Sequence, residues 1–193
     1  MGRGRIAPSA RVIVSVQDRV VRWDMDTKTI VNGLARSGSA ITSLVDGLSD
    51  DLLRRRPAPE RWSPLEILCH LVDEERDDFR ARIQSTLEDP MAAWSPIDPP
   101  AWVTERGYNT REPEVVLTSF CTERAESLAW LTTLDASVLE RAYHHPKLGE
   151  LSAGDLLAAW AAHDLLHLRQ LANTLIDVLD EDAAPFSTRY AMP

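Results

Sequence analysis

The sequence predicts an all-α protein, an antiparallel four-helix bundle with a long crossover between its second and third helices, over residues 26–180. Three observations predict it. Four stretches carry apolar residues at the 3–4 spacing of a helix with one buried face. Two of them open on a serine with an acid three positions on, the pattern of a capping box. No stretch alternates with comparable strength at the period of two that a half-buried strand requires, and there is no internal repeat.

In the first helix Ile30, Val31, Leu34, Ile41, Leu44, Val45 and Leu48 form the stripe. Gly47 and Ser49-Asp50-Asp51 end it, and Arg56-Pro57-Ala58-Pro59 is a linker with restricted dihedrals. The second helix starts with Ser63 as N-cap, Pro64 at N1 and Glu66 at N3, while Trp62 and Ile67 occupy the hydrophobic-staple positions. Leu68, Leu71, Val72, Phe79, Ile83 and Leu87 carry it to Glu88. Residues 89–111 break the period with four prolines among Trp94, Trp102 and Tyr108; a connection this long is a crossover or is functional. Pro113 opens a third helix through Val116, Leu117, Phe120, Leu128, Leu131 and Leu134, and His144 to Gly149 reads as a loop. Ser152 and Asp155 repeat the capping box, with Leu151 and Leu156 as staple. That fourth helix runs through Leu157, Trp160, Leu168, Leu171, Leu175 and Leu179, leaving 181–193 as a loosely ordered tail. Residues 1–25 read as an upstream extension, with Met25 as an alternative start.

A length of 193 residues favours one domain. Acids outnumber bases 30 to 21, and a net charge of −9 argues against nucleic acid and anionic membranes as partners. No run approaches the roughly 18 apolar residues of a membrane span. Two cysteines do not make a disulfide framework, which points to a reducing compartment, the cytoplasm.

His163 and His167 stand four apart, so both rings project from one face of the fourth helix. That spacing suits two nitrogens on one divalent ion; it equally suits two part-buried histidines bonded to carbonyls. His70 strengthens the metal reading, because facing helices of a bundle could bring it opposite the pair. Three neutral nitrogens would leave coordination positions open, a catalytic rather than a closed structural arrangement. Di-iron bundles need two Glu-x-x-His pairs, which this chain lacks. His163-Asp164-Leu165-Leu166-His167 only echoes the zincin motif, with Asp for Glu.

The acidic run Asp73-Glu74-Glu75-Arg76-Asp77-Asp78 reads as a solvated face. Glu74, one turn from His70, is an outer partner of a ligand, a proton acceptor or a surface residue, with the surface slightly favoured. Gln170, three after His167, either orients a ligand or is a surface amide. Cys69 and Cys121 read as small core residues, Cys69 pointing about 100° around the helix from His70. His144 and His145 read as structural or exposed. Trp94, Trp102 and Tyr108 are pocket walls or packing residues.

These residues resemble the DinB-like superfamily, whose members include bacillithiol and mycothiol S-transferases and mycothiol-dependent maleylpyruvate isomerase. The resemblance covers about residues 26–180. It rests on Trp62-Ser63 opening the helix of His70-Leu71, on His163-Asp164-Leu165-Leu166-His167-Leu168-Arg169-Gln170, and on Leu148-Gly149-Glu150-Leu151-Ser152 before the last helix. It implies a four-helix bundle, frequently a homodimer, with one divalent ion, zinc or nickel, on His70, His163 and His167. The activity it implies is transfer of a low-molecular-weight thiol, as cosubstrate, to an electrophilic small molecule. A metal-dependent hydrolase and a non-catalytic metal-binding or stress-response protein are the alternatives.

Overall fold

The computed structural model describes residues 27–191. The expected extension at 1–25, with its second start at Met25, lies outside the described residues. α1 (Thr27–Val45) buries Val31, Leu34, Ile41 and Val45, the stripe expected of it. Gly47, at φ +76°, turns the chain away. Ser49 then accepts a hydrogen bond from the Leu52 amide and caps a short helix, α2 (Asp50–Arg54), where the sequence reading had only a terminator.

The second long helix is one rod in three parts: α3 (Pro64–Asp73), a π-helical segment (Glu74–Arg80) and α4 (Ala81–Glu88). Its capping box is formed. Ser63 Oγ accepts from the Glu66 amide at 3.2 Å, and Glu66 Oε2 accepts from the Ser63 amide at 2.8 Å. The crossover holds α5 (Pro99–Glu105), capped by Asp98, and a 3-10 turn at Tyr108–Thr110. α6 (Pro113–Leu131) stops one turn short of Leu134. There the Thr132 and Thr133 hydroxyls donate to the carbonyls of Ala129 and Trp130, both at 2.7 Å, competing for groups a further turn would use. After a 3-10 turn (Ala136–Glu140), β1 (Ala142–His145) and β2 (Gly149–Ser152) form an antiparallel hairpin, correcting the loop expected at 144–149. Four residues a strand are too few for alternation to show. Gly149, at φ +77°, takes the left-handed conformation where the three-residue turn at 146–148 enters β2. α7 (Ala153–Asp182) starts on its predicted capping box and runs two residues into the expected tail.

The apolar core is in two clusters. One gathers Ile41 and Val45 of α1, Leu65 to Val72 of α3, Val116 and Phe120 of α6, and Leu171 of α7. The other gathers Val31, Leu34, Ile83 of α4, Leu131, and Leu156 to Trp160 of α7. The order in which each helix visits the clusters gives its direction: α1 and α7 run one way, and the α3–α4 rod and α6 the other. Since α6 runs parallel to the rod before it, the chain must travel back along about 36 Å of helix, at 1.5 Å per residue. That return is the crossover, and the architecture is the predicted four-helix bundle.

A polar waist separates the clusters, and here the acidic run departs from expectation. Asp73, Glu74, Glu75 and Asp78 are all buried; only Arg76 of the run is exposed. Asp73 is met by Arg106 and Asp78 by Arg82, and for Glu75 the partner is a buried cation on another helix. Arg124 of α6 donates to Glu75 from Nε at 2.9 Å and Nη2 at 2.7 Å, to Asp164 of α7 from Nη1 at 2.6 Å, and to the Leu34 carbonyl of α1 at 2.6 Å. The Ser37 hydroxyl of α1 also donates to Asp164. Gly38 makes room: a Cβ there would stand 3.1 Å from Arg124 Nη1. Burial opposes the Arg124 charge, but the bonds from Glu75 and Asp164 outweigh it and hold its pKa above the ordinary value.

Asp73 fastens the crossover. It accepts from the buried Tyr108 hydroxyl at 2.6 Å and pairs with Arg106 at 2.7 Å. Among the described residues no helix is long and apolar enough to cross a membrane.

Candidate metal centre

α3 and α7 bring three imidazoles to one point in this waist. His70 Nε2 lies 3.4 Å from His163 Nε2 and 3.1 Å from His167 Nε2, and the last two are 3.1 Å apart. His163 and His167 hold one face on successive turns of α7, as their spacing predicted. His70 is buried, whereas the α7 pair is half-buried, so the centre is approached from the α7 side.

The protonation of the rings follows from their surroundings. Gln170 Oε1 lies 2.7 Å from His167 Nδ1. An amide oxygen only accepts, so Nδ1 carries the proton and Nε2 keeps its lone pair for the centre. Burial, and then the neighbouring rings, push His70 down to about 2; burial and His167 push His163 down to about 3. Burial also lowers His167, partly countered by Gln170 and Asp164. All three are neutral at physiological pH.

Three neutral nitrogens at this separation suit a divalent ion. Tetrahedral bonds of about 2.0–2.1 Å require ligand nitrogens about 3.3 Å apart. A lone pair on His167 Nε2 cannot donate to its neighbours, whereas one ion would engage all three nitrogens. Among the described residues this is the group of metal-ligating type that gathers within 4.8 Å, and its donor set stops at three. Residues of this kind could hold a cation with positions left for other ligands.

Glu74 was favoured as surface; it is buried. Its Oε1 lies 3.9 Å from His70 Nδ1, and neither atom has a hydrogen-bond partner. Burial, then its hydrogen bond to Asp78, raises Glu74 to about 8. Gln170, half-buried, meets a ring of the centre directly. Cys69 turns from the centre toward the Tyr108 carbonyl at 3.7 Å, and burial pushes its thiol up to about 12. Cys121 is exposed, not a core residue. His144 and His145 lie in the hairpin, His145 Nδ1 accepting from the amides of Lys147 and Leu148.

Two aromatic walls escaped the sequence reading. Trp62, read there as a staple, packs its ring 5.0 Å from His70 and lies parallel to His167 at 6.4 Å. Phe79 packs 5.1 Å from His163 and stacks on Trp160 at 5.7 Å. In a plain α-helix Phe79, nine residues on, would point about 180° from His70. The wider turns of the π segment carry it round, and no spacing rule finds that.

The comparisons with known proteins agree with this architecture. A solved structure, YfiT from Bacillus subtilis, superposes with a TM-score of 0.70 over 89% of this chain and 92% of its own, at 17% identity. That protein is described as "a probable metal-dependent hydrolase with an unusual four-helix bundle topology". No curated protein matches the chain. The DinB superfamily pattern matches residues 34–171, from the first helix to beyond the last histidine, and on that match the chain belongs to the DinB superfamily.

Proposed function

We propose that the protein is a metal-dependent enzyme in which one divalent ion, zinc or nickel, is held by the Nε2 atoms of His70, His163 and His167. The reaction is attack of a low-molecular-weight thiol on an electrophilic small molecule. The observation that carries this reading is the convergence of the Nε2 atoms of three neutral imidazoles within 3.4 Å of one another. Bound there, the ion supplies Lewis acidity that lowers the pKa of a nucleophile brought to it. The chain's own residues do the rest. Gln170 keeps the His167 proton on Nδ1, and Trp62 and Phe79 give the centre apolar walls that exclude water. Neither cysteine is placed to serve as nucleophile, so sulfur comes from a cosubstrate.

Hydrolysis is the second reading, favoured by the description of YfiT and by a buried carboxyl, Glu74, beside His70. A non-catalytic metal-binding protein would be expected to close the ion with a fourth protein ligand, which the donor set does not supply.

The test is a panel of small thiols and electrophiles with metal-loaded protein, His167→Ala serving as control. Thiol-dependent consumption of an electrophile by wild type but not by the variant supports the transferase. Turnover with water alone moves the assignment to hydrolase. Equal rates for wild type and variant on every pair would end the transferase reading for that panel.

A further inference from the structure

Apart from the histidine centre, a cleft of about 440 Å³ lies between the rod and the crossover. Arg76, Arg82 and Arg106 line it with Trp94 and Trp102, and Asp77 is the one acid in the lining. None of the three histidines borders it. In a chain of net charge −9 this gathering of guanidinium groups runs against the overall composition.

The arginines are held in place from behind. Arg106 Nη1 pairs with Asp73 at 2.7 Å and Asp77 at 2.8 Å, Arg76 Nε with Asp77 at 2.9 Å, and Arg82 Nε with Asp78 at 2.7 Å. Each guanidinium has five N–H donors, and these contacts leave others for the cleft. Two of the cations also lie on the aromatic walls: Arg82 sits 4.9 Å over Trp94 and Arg106 3.8 Å over Trp102. Trp94 also stacks on Tyr143 at 4.2 Å, so the cleft meets fixed donors beside indole edges, with Pro96 and Ile97 in the same lining. Trp94 Nε1 adds a buried donor with no acceptor.

We propose that this cleft binds a small monocarboxylate with an aromatic or apolar body. The planar guanidinium fork matches a carboxylate, and the indole edges with Pro96 and Ile97 take the body. Asp73, Asp77 and Asp78 balance the three arginines, so no net charge draws a dianion in, and the fork together with an apolar body selects a monocarboxylate over phosphate. The inference does not rest on the metal reading.

The test is titration of the full-length protein, with and without a chelator, followed by NMR of the indole N–H signals. The probes are benzoate, benzyl alcohol and inorganic phosphate. Benzoate should shift the Trp94 and Trp102 signals saturably while leaving Trp62 and Trp160 in place, with or without chelator. Benzyl alcohol and phosphate should shift none of the four signals. Arg82→Gln should weaken benzoate about tenfold, the loss of one charge-assisted bond. Ser95→Asp, at an exposed position of the rim, should weaken it without lowering the melting temperature. Equal shifts from benzyl alcohol, tighter binding of phosphate, shifts confined to Trp62, or no effect of Ser95→Asp would each overturn the proposal.

Discussion

Gln170 lies by Nδ1 of His167 and Glu74 by Nδ1 of His70, and only Gln170 hydrogen-bonds its histidine. Gln170→Ala should therefore weaken zinc binding about 10–100-fold, the cost of losing an outer partner, while metal-free stability stays within about 0.5 kcal/mol of wild type. Competition with a chromophoric chelator and a denaturant melt measure the two. The same residues set how metal-free stability depends on pH. His70 and His163 are depressed to about 2 and about 3 from 6.5, so below pH 6.5 the unfolded chain takes up protons that the native state refuses. Stability falls as pH drops through that window. Glu74 works in the opposite sense: raised from 4.5 to about 8, it keeps a proton that the unfolded chain has lost, so stability falls as pH rises between those values. The histidines, His167 also lowered, outweigh the carboxyls below pH 6.5, and above it Glu74, with Glu75 likewise raised by burial, acts in the opposite sense. Metal-free protein should be most stable near pH 6.5, and Glu74→Gln should flatten the alkaline limb. A melting temperature that climbs steadily from pH 6.5 to 8 would contradict this. Of the centre itself, the three histidines were legible because helical spacing and a facing helix suffice to find them. The burial of Glu74 was not, because it depends on what another helix presents.

The π segment and α6 show where reading one helix at a time stops working. Both capping boxes were legible because every group that forms them lies within four residues. Glu75 looked solvated because its counter-ion, Arg124, is 49 residues away. On α6 that arginine takes the place in the buried row between Phe120 and Leu131 where an apolar residue would be expected. Through Arg124 the rod, α1, α6 and α7 are bonded in one plane of the bundle. Removing one partner of such a network leaves the others buried without compensation, so Arg124→Met should cost about 3–5 kcal/mol in urea unfolding. A loss below about 1 kcal/mol, the range of an exposed pair, would mean that the waist is hydrated. The hairpin at 142–152 was missed for a different reason: its strands are shorter than the window in which a period of two can be seen.

At the scale of the whole molecule, the polar waist joins architecture to chemistry. Two apolar clusters stabilise the ends of the bundle, and between them the four helices place their ionisable residues, the three histidines included. The crossover is the consequence of running α6 parallel to the rod. Its length and aromatic content were visible in the sequence, but not the straps through Asp73 that hold it down. A ligand bound at the waist touches α3 and α7, elements distant in sequence, and should stabilise the fold by mass action. Zinc at about 100 times its dissociation constant should add about 2.7 kcal/mol, seen as a rise in melting temperature that His163→Ala abolishes. X-ray absorption of the protein loaded with one zinc per chain tests the central claim most directly. The account predicts imidazole nitrogens at about 2.0–2.1 Å, three of them, with a lighter or exogenous ligand completing the shell. Sulfur from the protein at about 2.3 Å, or an unchanged spectrum when His70, His163 and His167 are replaced singly by alanine, would contradict it.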